Sequence, residues 1–169
     1  QADDARDVVT GDFDGDGSPE AAVSSASNNW VEIFDVPLGG APLGTILLPG
    51  EVSSPLSLSA ADFSPGSPAS DLAVLAKSGE HSVLLLYFFE APGGIPSAPG
   101  VGPFRFAVPS RYLARGGDFN LDGDTWEIDG VPHPIPDLAV TRDDGTSSVY
   151  VLPPAGDRET WAMELDQRA

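Results

Sequence analysis

Residues 6–25 read RDVVTGDFDGDGSPEAAVSS. Two short apolar runs, Val8-Val9 and Ala21-Ala22-Val23, flank a loop of Asp, Gly, Ser, Pro and Glu. Apolar runs of this length between turn formers read as strands. Within the loop Asp12, Asp14 and Asp16 alternate, Gly17 follows, and Glu20 opens the second run. Two further stretches carry the same frame. Residues 56–76 read LSLSAADFSPGSPASDLAVLA, and residues 112–141 read YLARGGDFNLDGDTWEIDGVPHPIPDLAVT. Each has an apolar strand, an Asp-Phe pair, a turn-rich loop, an acidic residue and an Ala-Val strand. The pairs Asp12-Phe13, Asp62-Phe63 and Asp118-Phe119 are spaced by 62 − 12 = 50 and 118 − 62 = 56 residues.

The rest of each period also corresponds. NNWVEIFDV and GTILLPG follow the first Ala-Val strand, HSVLLLYFFEA and PFRFAVP the second, SSVYVLPPA and ETWAMELD the third. Val, Ile, Tyr, Phe and Trp dominate several of these runs, as half-buried pleated surfaces favour. Each period therefore holds four strand-like runs, and a four-stranded unit every ~40–50 residues is the size of a propeller blade. The expected fold is all-β: one domain, 1–169, of three four-stranded antiparallel propeller-type blades at about 5–50, 54–109 and 110–168. The tail ETWAMELDQ fits a last strand or a short amphipathic helix. The rival architecture is a β-trefoil, also built from three repeats, although its repeats do not usually open on such an acidic loop.

At this point the sequence resembles a known family. G-D-F-D-G-D-G-x-P-E-x-A-V, at residues 11–23, looks like the FG-GAP/VCBS repeats of integrin-type propellers and bacterial surface proteins. The third repeat, G-D-F-N-L-D-G-D…P-D-L-A-V, resembles them with an insertion. The second keeps the frame but lacks most of the acidic positions.

The acidic loops suit calcium, a hard cation that takes six to eight oxygens at about 2.3–2.6 Å. In the first loop Asp12, Asp14 and Asp16 would supply carboxylates, Ser18 its backbone carbonyl, and Glu20 the closing ligand. Gly17 allows the turn, and Pro19 donates no N–H. An EF-hand would need an acid eleven residues after Asp12, where Val23 stands. In the third loop Asp118, Asn120 and Asp122 match the alternating positions, Gly123 the turn, and Asp124 the carbonyl. Trp126 stands where the closing acid belongs. Either Asp137 closes the shell, preceding Leu-Ala-Val as Glu20 precedes Ala-Ala-Val with the intervening residues looped out, or Asp129 does so from eleven residues downstream. The second loop has Asp62 and Ser64, then Gly66 in place of an acid, with Asp71 offset by one residue. It is expected to hold its turn without metal. Two calcium sites and a third, degenerate one are thus expected.

Composition narrows the partners. Asp and Glu number 26 against 8 Lys and Arg, a formal net charge of −18. That disfavours nucleic acid and anionic membrane surfaces. The absence of Cys excludes disulfides and thiolate metal sites, and the longest apolar run, Val83 to Phe89, has only strand length. The chain begins at Gln1 rather than Met, as expected of a processed or excised chain. No nucleophile motif accompanies His81 or His133, both of which read as surface or strand residues. Trp30 and Trp161 fall in strand-like runs and read as core, whereas Trp126 in the insertion is the best exposed aromatic.

The resemblance implies a non-enzymatic extracellular or cell-surface module, structural or adhesive, with calcium holding its loops. Three blades do not close a ring, and exposed edges invite pairing. Expected partners are therefore other copies of the chain or neighbouring blades in a filament or matrix assembly, or an extracellular protein or glycan, with no membrane insertion. The alternatives are a carbohydrate-binding module using Trp126, or a non-catalytic domain of a larger secreted enzyme.

Overall fold

The computed structural model describes residues 4–37, 40–64, 67–90, 94–106, 110–117, 125–128, 131–134, 137–142 and 147–150. Those residues form thirteen β-strands and no helix. The first sheet is a four-stranded antiparallel meander of β1 (Ala5–Gly11), β2 (Glu20–Ser25), β3 (Trp30–Asp35) and β4 (Gly44–Leu47). The second repeats this order with β5 (Ser53–Ala61), β6 (Asp71–Ser78), β7 (His81–Tyr87) and β8 (Val101–Phe106). In the third repeat β9 (Ser110–Gly117) is followed by a hairpin of β10 (Thr125–Ile128) and β11 (Val131–Pro134). Then come β12 (Asp137–Arg142) and β13 (Ser147–Tyr150), which give a sheet of order β13-β12-β9. The expected fourth run of this repeat, residues 159–166, lies outside the described residues.

Strand pairing places the three repeats in one register. Gly11 pairs with Glu20, Ala61 with Asp71, and Gly117 with Asp137. The residue before each Asp-Phe pair thus always faces the acid that opens the next strand. The connections differ in length, at residues 12–19, 62–70 and 118–136, yet they leave from and return to the same rung. In the third repeat the residues expected to loop out include the β10–β11 hairpin, in which Trp126 pairs with His133.

The sheets stack face to face. One face of the first sheet, with Ala22, Val31, Ile33 and Ile46, packs on one face of the second, with Leu58, Leu72, Val74, Val83, Leu85 and Tyr87. The opposite face of the second sheet, with Ala73, Leu75, Leu84 and Leu86, packs on Leu138 and Val140 of β12. Covered on both sides, β6 and β7 are almost continuously apolar, without the alternation of a strand that faces water. Each Leu or Ile buried here contributes about 1.5–3 kcal/mol relative to exposure.

The first strands of successive repeats lie side by side, β1 against β5 and β5 against β9. Asp7 of β1 ties this seam. Its Oδ2 accepts the Leu58 amide at 2.8 Å and the Ser57 hydroxyl at 3.0 Å. Trp30 is half-buried rather than in the core, because it lies on the face of the first sheet that points away from the second. His81 is exposed at the start of β7. Among the described residues no helix is long and apolar enough to cross a membrane.

Candidate metal centre

The first acidic loop joins the end of β1 to the start of β2. Its backbone turns through Gly15 at φ 78° and Gly17 at φ 90°, a region that only glycine enters at no steric cost. The side chains then organise the amides. Asp12 Oδ1 accepts the Gly15 amide at 2.7 Å and Oδ2 the Gly17 amide at 3.0 Å. Asp14 Oδ1 accepts the Asp16 amide at 3.1 Å, and Asp16 Oδ1 accepts the Ser18 amide at 2.7 Å. These are Asx-type turns, in which a short carboxylate stands in for a backbone acceptor. At the far end Glu20 Oε2 accepts the buried amide of Phe13 at 2.7 Å. That bond sets Phe13 into the core, where its ring lies 5.1 Å from that of Phe89.

This folding brings three carboxylates together. One oxygen each from Asp12, Asp14 and Glu20 lies within 4.8 Å of the others. Asp12 and Asp14 are half-buried and Glu20 is buried. Burial pushes the Glu20 carboxyl above the usual carboxylate range, and the Asp14 and Asp12 charges push it the same way. The Phe13 and Asp14 amides oppose that rise. Asp16 and Ser18 are exposed at the tip of the loop. The donor set is all oxygen and hard, and each carboxylate oxygen keeps a lone pair beyond those given to amides. Such a set could hold a hard cation and does not suit thiophilic or imidazole-seeking metals, but it does not single out one ion.

The loop is also fixed from outside. The Ser70 amide donates to the Asp12 carbonyl at 2.6 Å, and the Asp12 amide donates to Ser70 Oγ at 3.2 Å. The approach is close: a Cβ on Gly11 would meet Ser70 Cβ at 2.9 Å. The second repeat thereby buttresses the acidic loop of the first. Nothing in the sequence singles out Ser70, because the contact spans 58 residues.

The second loop closes differently. Asp71 is fully buried and takes three protein donors: the Phe63 amide at 2.9 Å and the Ser64 hydroxyl at 2.8 Å on Oδ2, and the Phe89 amide at 3.0 Å on Oδ1. It stands in the register of Glu20 and holds Phe63 as Glu20 holds Phe13. Burial raises its carboxyl to about 7, against the pull of the Phe89, Ser64 and Phe63 hydrogen bonds.

In the third repeat Asp118, Asn120, Asp122, Asp124 and Asp129 lie outside the described residues. Asp137 opens β12 opposite Gly117, the rung that Glu20 and Asp71 occupy in their repeats. Compared with known proteins, the sequence matches no family model and no curated protein.

Proposed function

We propose that this chain is a non-enzymatic, extracellular calcium-binding module, structural or adhesive, built of propeller-type blades like those of the FG-GAP/VCBS repeats. The observation that carries the reading is the convergence of Asp12, Asp14 and Glu20 at the joint between β1 and β2. Three carboxylates this close repel one another in the ion-free protein, and a divalent cation between them removes that repulsion. Because Glu20 also holds the Phe13 amide, an ion there would fasten the loop to the core. Its role would be that of a structural clip, with no water-activating duty. The blade reading is supported by the meander order of the sheets, their shared register, and the alignment of β1, β5 and β9. A second calcium site at Asp118, Asn120, Asp122, Asp124 and Asp137 is part of the proposal, with Asp137 favoured over Asp129 by its rung. The extracellular assignment rests on the acidic charge and on the resemblance.

Thermal unfolding tests the reading. After chelation, millimolar calcium raises the melting temperature at fixed ionic strength, and equal magnesium raises it less. Identical melting with and without calcium would overturn it.

A further inference from the structure

The residues before the rung acids Glu20, Asp71 and Asp137 are Pro19, Ser70 and Pro136. Proline has no N–H and no hydroxyl. Ser70 alone of the three can donate an amide and accept on a side-chain oxygen, and it does both toward the preceding repeat. Its amide donates to the Asp12 carbonyl at 2.6 Å, and its Oγ accepts the Asp12 amide at 3.2 Å. The rung residue beside Asp12 is matched to this contact. Gly11 leaves room for Ser70, since a Cβ there would meet Ser70 Cβ at 2.9 Å and Oγ at 3.1 Å. In the second repeat the same rung position is Ala61, which already carries a Cβ. The sequence thus supplies glycine and serine for the first joint, and alanine and proline for the second.

Ser70 is itself firmly held. On one side Ala69 is buried in the core between the first two sheets, with its amide on Ser67 Oγ at 3.2 Å. On the other side Asp71 is fully buried and takes the Phe63, Ser64 and Phe89 donors. Asp12, by contrast, begins a loop whose tip, residues 16–19, is exposed. Every polar group of Asp12 is engaged: its amide and carbonyl with Ser70, and its two carboxylate oxygens with the Gly15 and Gly17 amides. A rigid neighbour therefore fixes the backbone from which the Asp12 carboxylate organises the loop.

We infer that Ser70 is a positioning residue for the first acidic loop, so that the loop, and the cation it would hold, belongs to two repeats rather than one. Fixing Asp12 from the second repeat reduces the freedom that the loop must lose when an ion draws Asp12, Asp14 and Glu20 together. Linkage makes the effect reciprocal: whatever the Ser70 contact adds to ion affinity, the ion adds to the Ser70 contact. The ion then locks one repeat onto the next as well as clipping β1 to β2. The bearing on cations rests on the calcium reading above, whereas the bearing on the loop does not.

Amide hydrogen exchange of the full 169-residue chain, with calcium calorimetry beside it, tests this. Ser70→Pro removes the amide and sets a ring carbon against the Asp12 carbonyl. Pro19, at the same position of the first repeat, shows that the ladder accepts proline there. Ser70→Ala removes the hydroxyl alone. In chelator, exchange at Gly15 and Phe13, measured relative to Phe63, rises about tenfold in Ser70→Pro and less in Ser70→Ala, the scale of one lost hydrogen bond. In the parent, calcium slows exchange of the Ser70 amide, which an ion acting on the first repeat alone would not do. Calcium binds Ser70→Pro at least about fivefold more weakly than the parent. Val83→Ala thins the core of the second sheet at the far end of β6 from Asp71, and it leaves both the Gly15 to Phe63 ratio and the calcium affinity as in the parent. Should Ser70→Pro fail to fold, Ser70→Ala decides. Unchanged relative exchange at Gly15 and Phe13 overturns the inference. Undiminished calcium affinity in the variants also overturns it, and leaves the proposed function standing. A chain that binds no calcium yet loosens its loop in both variants sinks the proposed function and keeps the positioning role of Ser70.

Discussion

The amide of Phe63 donates to Asp71 Oδ2 at 2.9 Å, so a carboxylate with no exposed surface closes the second loop. Its pKa, raised from 3.8 to about 7, makes it a proton-linked element of stability. Between those values the folded chain keeps a proton that the unfolded chain releases. Asp71 therefore contributes most stability at the acid end, and the contribution is lost as pH rises through about 7. A shift of this size is worth a few kcal/mol at most, at about 1.4 kcal/mol per pKa unit. In chelator, urea midpoints of Asp71→Asn are expected to lack the decline that the parent shows between about pH 4 and 7. Parallel curves for the two proteins would refute the assignment.

Asp14 is the member of the acidic triad whose carboxylate accepts a single loop amide, that of Asp16. In Asp14→Asn the ion-free protein should melt at or slightly above the parent temperature, because one repelling charge is gone. Its calcium-induced stabilisation should fall by about 1–3 kcal/mol, the scale set by mass action for a ligand near 10–100 times its dissociation constant. Calorimetric titration of the two proteins checks both parts.

Asp7 holds the seam between the first two sheets through the Leu58 amide and the Ser57 hydroxyl. Asp7→Ala strips the Leu58 amide of this acceptor and removes one bond of the Ser57 hydroxyl, and should cost about 1–3 kcal/mol in urea unfolding. Asp7→Asn keeps one accepting oxygen and should recover part of the loss. If the two variants are equally stable, the seam is held by packing alone.

The Tyr87 hydroxyl is buried in the core between the first two sheets and has no hydrogen-bond partner among the described residues. Burial pushes its pKa up to about 12. Tyr87→Phe removes a desolvated polar group without changing the ring, so the variant should equal the parent or exceed it by about 1–3 kcal/mol. A destabilised variant would mean that the hydroxyl has a partner.

Much of this fold is legible in the sequence because its punctuation is regular. Gly, Pro, Asp and Ser fall between apolar runs, and the Asp-Phe pairs mark where each first strand ends. The first eight strands fall on the eight runs of the first two periods. The loop residues Asp12, Asp14 and Glu20 are legible too, since alternation around a glycine turn is a local property. Other features depend on contacts that spacing does not encode. By counting, Asp71 looks displaced by one residue, but the ladder returns it to the rung of Glu20, because pairing rather than loop length sets register. The hold of Glu20 on the Phe13 amide is hidden for a related reason: a side chain that resembles a pure metal ligand also serves the backbone. Trp30 looks like core by composition, yet β3 alternates, and its residue type does not say which side lacks a covering sheet.

The connection between Gly117 and Asp137 returns to its rung after residues 118–136, whereas that between Gly11 and Glu20 does so after residues 12–19. A ladder that accepts so unequal a span treats this joint as a port. Loop-closure entropy grows only slowly with length, by about 0.6 kcal/mol per doubling. The joint of the second repeat offers the same port, and its closing carboxylate is already held by Phe63, Ser64 and Phe89. A foreign peptide or small domain grafted between Phe63 and Ser70 would leave the ladder in phase. The repeat is thus a chassis on which cargo can change while the frame is inherited intact.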